Sequence, residues 1–233
     1  MIRKLLPVVI LAGGKGTRLR EETEFIPKPM VKIGELPILL HIINHFEKYG
    51  NFNFLVCTGY KEEVIFDYFE KNPKNNLKLI STGIDTLTAG RIKKTREFID
   101  NEFFMTYGDG LSDININNLH QFHRNHQGAA TISVTRPVSR FGLIEFQSNG
   151  LVTNFVEKPL LDSFVNMGYM LLNKEVFNYI ENDEMFESVP LKKLAENKKI
   201  YAFKHDGFFR PMDTYREYLE LNEIYQSGNA PWT

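Results

Sequence analysis

The stretch Val8-Val9-Ile10-Leu11-Ala12-Gly13-Gly14-Lys15-Gly16-Thr17-Arg18 decides the fold of this chain. Residues 8–12 are a short apolar run rich in β-branched side chains, which suits a strand buried on both faces. Gly13, Gly14 and Gly16 then free the backbone to curl, so that several N–H groups can aim at phosphate oxygens. Arg18 and, ten positions later, Lys28 in Pro27-Lys28-Pro29-Met30 add two positive charges. Together these could neutralise a phosphate chain and the charge that develops as it is attacked. The flanking prolines are expected to hold Lys28 in an extended, non-helical segment that presets where its ammonium points.

Two other glycine loops do not fit. A loop of the ATPase kind needs Gly-x4-Gly-Lys-Ser/Thr, and a dinucleotide fingerprint needs a third glycine where this chain has Leu19. A plain strand-to-helix turn would account for the glycines, but not for Arg18 together with Pro27-Lys28-Pro29.

Outward from this loop, β-rich apolar runs recur at 7–12, 53–58, 77–81, 102–107 and 129–135, separated by segments of helical spacing at 38–49, 61–71 and 114–125. The alternation predicts an α/β fold, a mixed, mostly parallel sheet flanked by helices. Asp113 or Asn115 is placed to cap the third helix. Further on, 143–146, 151–157 and 165–172 read as strands forming an excursion over the open edge of the site. Helices at about 174–181, 190–197 and 214–226 close the fold. No linker-like tract, repeat or low-complexity segment interrupts residues 1–233, so one domain is expected.

With 233 residues and 42% apolar content the chain can bury a large core. A net charge of −1 offers no basic field to a polynucleotide, so no nucleic-acid partner is expected. The single cysteine, Cys57, sits in an apparent buried strand, which excludes an intramolecular disulfide framework and fits the cytoplasm. The start, Met1-Ile2-Arg3-Lys4-Leu5-Leu6, imitates a signal peptide until the glycine loop follows it. No apolar run approaches the roughly 20 residues of a membrane span, so no membrane partner is expected either.

The order Leu-Ala-Gly-Gly-x-Gly-Thr-Arg-Leu, then Pro-Lys-Pro-Met, resembles the signature of the sugar-nucleotide pyrophosphorylases, or nucleotidyltransferases. Asp85–Lys93, Thr106-Tyr-Gly-Asp-Gly110, Arg140-Phe-Gly142, Glu157-Lys-Pro159 and His205–Thr214 further resemble the glucose-1-phosphate cytidylyltransferase branch, and the matches run in order to about residue 232. The resemblance implies a Rossmann-like fold and a Mg²⁺-dependent transfer from CTP to a small phosphorylated acceptor. It implies Asp109 and Asp213 as metal ligands, and Arg18, Lys28 and Lys158 as catalytic charges. Leu11, Ala12, Gly13, Gly14, Lys15, Gly16, Thr17, Thr86, Arg91 and Gly110 would bind the nucleotide. Gly142, Glu157, Lys158, Asn166 and Gly168 would line the acceptor pocket. Read without the resemblance, Asp109 and Asp213 are more often turn or cap residues, and Glu157-Lys158 reads equally as a solvated ion pair.

The chain departs from that branch twice. Met167 stands where the branch has glycine, and its side chain must either fill hexose space or pack away behind it. Only Glu70–Asn76 remains where the branch carries a long insertion that contributes to subunit contacts, which leaves acceptor and homo-oligomer formation open. Glucose 1-phosphate is the leading acceptor, a polyol, choline or other monoester the alternative, and a nucleotide-binding regulatory protein without turnover the reading from another class. Lys28 and Arg18 are read as acting on an anion absent from the empty protein, so losing either is expected to cost turnover rather than stability. His120, His123 and His126 spread over roughly 120° of a helix with no cysteine to complete a zinc set, and a partly packed face is expected.

Overall fold

The computed structural model describes residues 5–233; the signal-like cations Arg3 and Lys4 lie outside the described residues. The glycine-loop strand is β1 (Leu6–Leu11), followed by α1 (Arg20–Thr23), a 3₁₀ turn at Lys28–Met30, and the small strands β2 (Lys32–Ile33) and β3 (Leu36–Pro37). Next come α2 (Ile38–Glu47), β4 (Phe52–Thr58), α3 (Glu62–Lys71), β5 (Leu77–Ser81) and α4 (Thr88–Lys93). The middle holds β6 (Glu102–Tyr107), β7 (Gly110–Ser112), α5 (Ile116–Arg124) and β8 (Ala130–Thr135). A hairpin of β9 (Leu143–Phe146) and β10 (Val152–Val156) precedes β11 (Val165–Asn173), a 3₁₀ segment at Lys174–Tyr179, α6 (Pro190–Glu196), β12 (Ile200–Lys204), β13 (Phe209–Pro211) and α7 (Tyr215–Gln226).

Seven strands form the central sheet in the order β12-β8-β11-β6-β1-β4-β5. Pairing is parallel throughout except for β11, which runs against both β6 and β8. Strand alternation divides the core: Val8, Ile10, Phe54, Val56 and Phe104 pack with α2, α3, α5 and α7 on one face. Val9, Leu11, Leu55, Cys57 and Phe103 pack with α4 and α6 on the other. Side chains pointing to both faces therefore meet hydrophobic helices, which is why these strands read as continuous apolar runs.

Most expected elements stand within a residue or two of their place, and Asn115 rather than Asp113 caps α5, its side chain accepting from the Asn118 N–H. Others differ. Residues 174–179 wind as 3₁₀ rather than α-helix; the helix α4 and the short strands β7 and β13 are not among the expected elements; and Ile200–Lys204, also absent from the reading, is an edge strand paired with β8. It lacks clean alternation because Phe203 packs against one core cluster and Ile200 against the other.

The histidines form a packed face. His120 meets Glu102 at 3.0 Å, His123 meets Thr131 and Asn173 at 2.7 and 3.0 Å, and His126 stacks on Tyr201. Cys57 is core, and burial pushes its thiol up to about 12, leaving it inert. Among the described residues no helix is long and apolar enough to cross a membrane.

Candidate functional site

Ligands of open α/β sheets bind beyond the carboxyl ends of the parallel strands. There the segments after β1, β5 and β6 enclose a cleft of about 540 Å³, a typical size for a small-molecule site. Leu11, Ala12, Gly13, Gly14, Lys15, Gly16, Thr17, Arg18, Lys28, Thr86, Arg91 and Asp109 all line it. Gly16 adopts φ +61° and its position faces the Lys28 side chain, a conformation that side chains rarely adopt. At Gly13 a Cβ would fall 2.0 Å from the Arg91 guanidinium, so glycine is required for close approach.

Lys28 is 7% exposed and donates to Asp109 Oδ2 at 2.6 Å and Asp213 Oδ1 at 2.7 Å. Arg18, at the open side, meets the other Asp213 oxygen at 3.0 Å. Burial by itself lowers the Lys28 pKa, but the charge and hydrogen bond of Asp109, with those of Asp213, outweigh it and hold the ammonium above the usual lysine value. In the empty protein, then, both cations already have carboxylate partners, Lys28 two and Arg18 one. The Lys28 backbone differs from the expected extended segment: Pro27 is extended, but Lys28–Met30 is a 3₁₀ turn, closed by the Met30 N–H on the Pro27 carbonyl at 2.8 Å. Pro29 tolerates this, since its fixed φ suits the turn and its missing N–H would have had no partner there.

Asp109 and Asp213 are over a hundred residues apart in sequence, and one pairing unites them. β7 and β13 run antiparallel with Gly110 opposite Pro211, and the Met212 N–H donates to the Asp109 carbonyl at 2.8 Å. The Asp213 and Thr214 N–H groups both donate to Glu217 at 2.9 Å, in a capping box that starts α7. Among the described residues no group of three or more His, Cys, Asp or Glu converges as a metal cage. Asp109 and Asp213 are the pair that could hold a cation together with ligand oxygens.

Arg91 is buried, and its nitrogens donate to the carbonyls of Thr58 and Gly13 at 2.9 Å, to that of Ile84 at 3.3 Å, and to the Thr82 hydroxyl. It pins the glycine loop to the 82–86 segment, where the Thr86 hydroxyl donates to the Thr82 carbonyl at 2.5 Å. Lys15 crosses the mouth to Asp85 at 2.9 Å. Gly110 is behind the cleft, its carbonyl accepting from the buried Tyr169 hydroxyl at 2.9 Å.

The acceptor set lies apart from this cleft lining. Gly142, Glu157 and Lys158 belong to the hairpin region, with Glu157 and Lys158 3.6 Å apart and exposed. The hairpin's foot is tied to the site where Arg140 reaches Glu217 at 3.2 Å. The expected excursion is a two-stranded ribbon, every residue of β9 and β10 exposed. On β11, Asn166 accepts from the Gly168 N–H at 2.8 Å, and Gly168 abuts the Tyr107 ring. Met167 packs away at 3% exposure.

Sequence reading missed the wall formed by 183–187. Met185 lines the cleft, Asp183 accepts from the Leu87 N–H at 2.8 Å, and Glu187 accepts from the Thr88 hydroxyl at 2.8 Å and from the Tyr107 hydroxyl. No local signal marks this acidic loop, since its partners are about a hundred residues away.

A glycine loop at the end of β1 facing a lysine held by two aspartates, on a sheet of this order, defines a nucleotide-handling transferase. The chain belongs to the nucleotidyl transferase family, whose model matches residues 7–227. It is 40% identical to the glucose-1-phosphate cytidylyltransferase of Salmonella typhi over 97% of this chain and 98% of that protein. It is 38% identical to the probable glucose-1-phosphate cytidylyltransferase of Bacillus subtilis (strain 168) over 97% and 99%. The first alignment runs over 254 residues, longer than this 233-residue chain. Here the connection between α3 and β5 is residues 72–76 alone. Among solved structures, HddC from Yersinia pseudotuberculosis matches with a TM-score of 0.74 at 26% identity, over 95% of this chain and all of that one.

Proposed function

We propose that the protein joins CTP to glucose 1-phosphate, giving CDP-glucose and pyrophosphate, with Mg²⁺ at Asp109 and Asp213. The observation that carries the chemistry is the Lys28 ammonium, held at 2.6 and 2.7 Å between those two carboxylates beside the glycine loop. The choice of base and acceptor is supported by relatives of that name over nearly the whole chain.

Donor chemistry supports the ion. Two hard oxygens already converge on one positive centre, and Mg²⁺ takes one or two carboxylates and completes its shell with water and substrate phosphates. When bound, the ion offsets repulsion between the two reacting phosphates. An acceptor phosphate oxygen, already anionic, forms a bond to the α-phosphorus of CTP. The bond from that phosphorus to the bridging oxygen breaks, and pyrophosphate leaves with the electron pair. The protein supplies no nucleophile, so its work is positioning and charge.

Arg18, exposed at the mouth, is suited to the leaving pyrophosphate, and Lys28 to the α-phosphate, while Asp109 and Asp213 would hold the ion. N–H groups of Gly13–Thr17 cradle the triphosphate, while backbone groups of Leu11–Gly13 read the base beside Thr86. Arg91 serves this reading by fixing the Gly13 carbonyl. Lys158 grips the acceptor phosphate, with Gly142, Glu157, Asn166 and Gly168 about the sugar. The cytoplasm, where the Cys57 thiol stays reduced, is the compartment we assign.

Pyrophosphate release, measured with each of the four nucleoside triphosphates against a panel of phosphorylated acceptors, tests the reading. CTP with glucose 1-phosphate should be fastest, lost in chelator and restored by Mg²⁺. Turnover indifferent to chelator would sink the metal assignment. Turnover of a smaller phosphate but of no hexose 1-phosphate would sink the acceptor.

A further inference from the structure

We infer that Glu187 is a positioning residue that couples the two pockets of the site, one of its carboxylate oxygens fixing the nucleotide side and the other the acceptor side. The inference rests on the acceptor placement proposed above and adds the link between the pockets.

The 183–187 loop first answers a need of α4. Leu87 stands at the N-cap of that helix and has no side-chain oxygen to offer the free N–H groups at its start. The loop supplies acceptors instead: Asp183 takes the Leu87 N–H at 2.8 Å, and the Glu184 carbonyl takes the Ala89 N–H at 2.9 Å. The Phe186 N–H donates in return to the Thr88 hydroxyl at 2.7 Å. These bonds already seat loop and helix on each other. Glu187 adds two more, which run in different directions. Its Oε2 accepts from the Thr88 hydroxyl at 2.8 Å, and its Oε1 from the Tyr107 hydroxyl.

Thr88 lines the cleft beside Thr86 and Leu87, on the side assigned to the nucleotide. Tyr107 ends β6, lines the cleft too, and leans on the acceptor side: a Cβ at Gly168 would fall 2.2 Å from its ring. Around Gly168 the pairing of β11 is irregular. Its register with β8 shifts between Asn166 and Met170, Gly168 takes φ +82°, and the Asn166 side chain turns back to accept the Gly168 N–H. An irregularity of this kind re-aims side chains, so the ring packed on it sets where Asn166 and Gly168 meet an acceptor. Packing holds the ring along its edge, and Glu187 holds its far end. Burial, then the charge and hydrogen bond of Glu187, push the Tyr107 phenol up, which keeps it a neutral donor.

Steady-state pyrophosphate release, varying CTP and glucose 1-phosphate in turn, tests this. Losing one such bond costs roughly tenfold in the constant it supports. Glu187→Ala should raise both KM values by about that factor with kcat nearly kept, because each bound substrate loses its positioning. Tyr107→Phe keeps the ring and should raise KM for glucose 1-phosphate alone; added to Glu187→Ala, it should raise that constant no further. Glu187→Gln, whose amide accepts from one hydroxyl and donates to the other, should bring both constants within about threefold of the parent. A loop that merely props up α4 would leave Tyr107→Phe with the parent's KM for both substrates. That result, or additive effects in the double variant, overturns the inference. Should Glu187→Ala fail to fold by circular dichroism, Tyr107→Phe and Glu187→Gln carry the test. A parent that prefers another nucleotide or acceptor, or releases no pyrophosphate, refutes the proposed substrates and not the coupling. The same variants are then read with the preferred pair, or by calorimetric dissociation constants for CTP and glucose 1-phosphate.

Discussion

Replacing Lys28 with methionine removes the ammonium from between Asp109 and Asp213 while nearly conserving volume. The two carboxylate oxygens, both bonded to one nitrogen at 2.6 and 2.7 Å, can lie no further apart than roughly 5 Å, so at an effective dielectric of about 20 their repulsion is ~3 kcal/mol. Removing one partner of a fully buried ion pair costs ~3–5 kcal/mol. Here the cost is smaller, because the Asp109 and Asp213 side chains are 30 and 19% exposed and Arg18 still meets Asp213. We expect about 2 kcal/mol of lost stability in chelator, read from thermal melts. Mg²⁺ should recover a larger share of it in the variant than in the parent, since the carboxylate pair is then unneutralised. Turnover, followed by pyrophosphate release, should fall by a few hundred-fold, the ~3–4 kcal/mol of one lost transition-state contact. A variant that melts with the parent in chelator and gains nothing extra from Mg²⁺ would refute the coupling of Lys28 to both carboxylates. One with normal turnover would refute its place in the chemistry.

Arg18→Ala should lower turnover on a similar scale with a melting curve almost unmoved, because its side chain is 71% exposed and such a pair is worth only ~0–1 kcal/mol. A fall in melting temperature matching that of Lys28→Met would contradict this. CTP should outrun UTP by the roughly 1–3 kcal/mol that one unpaired polar group on the wrong base costs, and equal rates in competition would remove the cytidine assignment. Burial lowers the His45 pKa to about 4 against an unfolded value of about 6.5. Its stabilising share is thus present above pH ~6.5 and lost as pH falls toward 4, on the order of 3 kcal/mol in all; urea titrations of His45→Gln should show a flatter pH dependence over that window. Thr214→Ala removes the capping box at α7 and should cost ~1 kcal/mol. Measured turnover should fall with it, since the same Glu217 holds the Asp213 N–H.

How much of this was legible in the chain follows the range of the interactions. Strand alternation and helical spacing are local, so the buried strands at 53–58 and 102–107 and the helix at 61–71 could be read directly, as could the glycine loop, whose backbone curl needs no distant partner. The same holds for Arg18 and Lys28 as charges facing a phosphate site. The sequence by itself determined the sheet with flanking helices, the cleft at its carboxyl end, and the family whose motifs it carries. It could not determine that Lys28 is already bound. That fact depends on β7 pairing with β13, which sets Asp109 beside Asp213 across a hundred residues. Nor could it reveal the role of 183–187, whose acidic side chains look solvated until Thr88 and Tyr107 are folded against them. Whether Met167 faces the site or the interior was likewise decided by tertiary packing. A side chain's neighbours, not its identity, set its burial and its charge state.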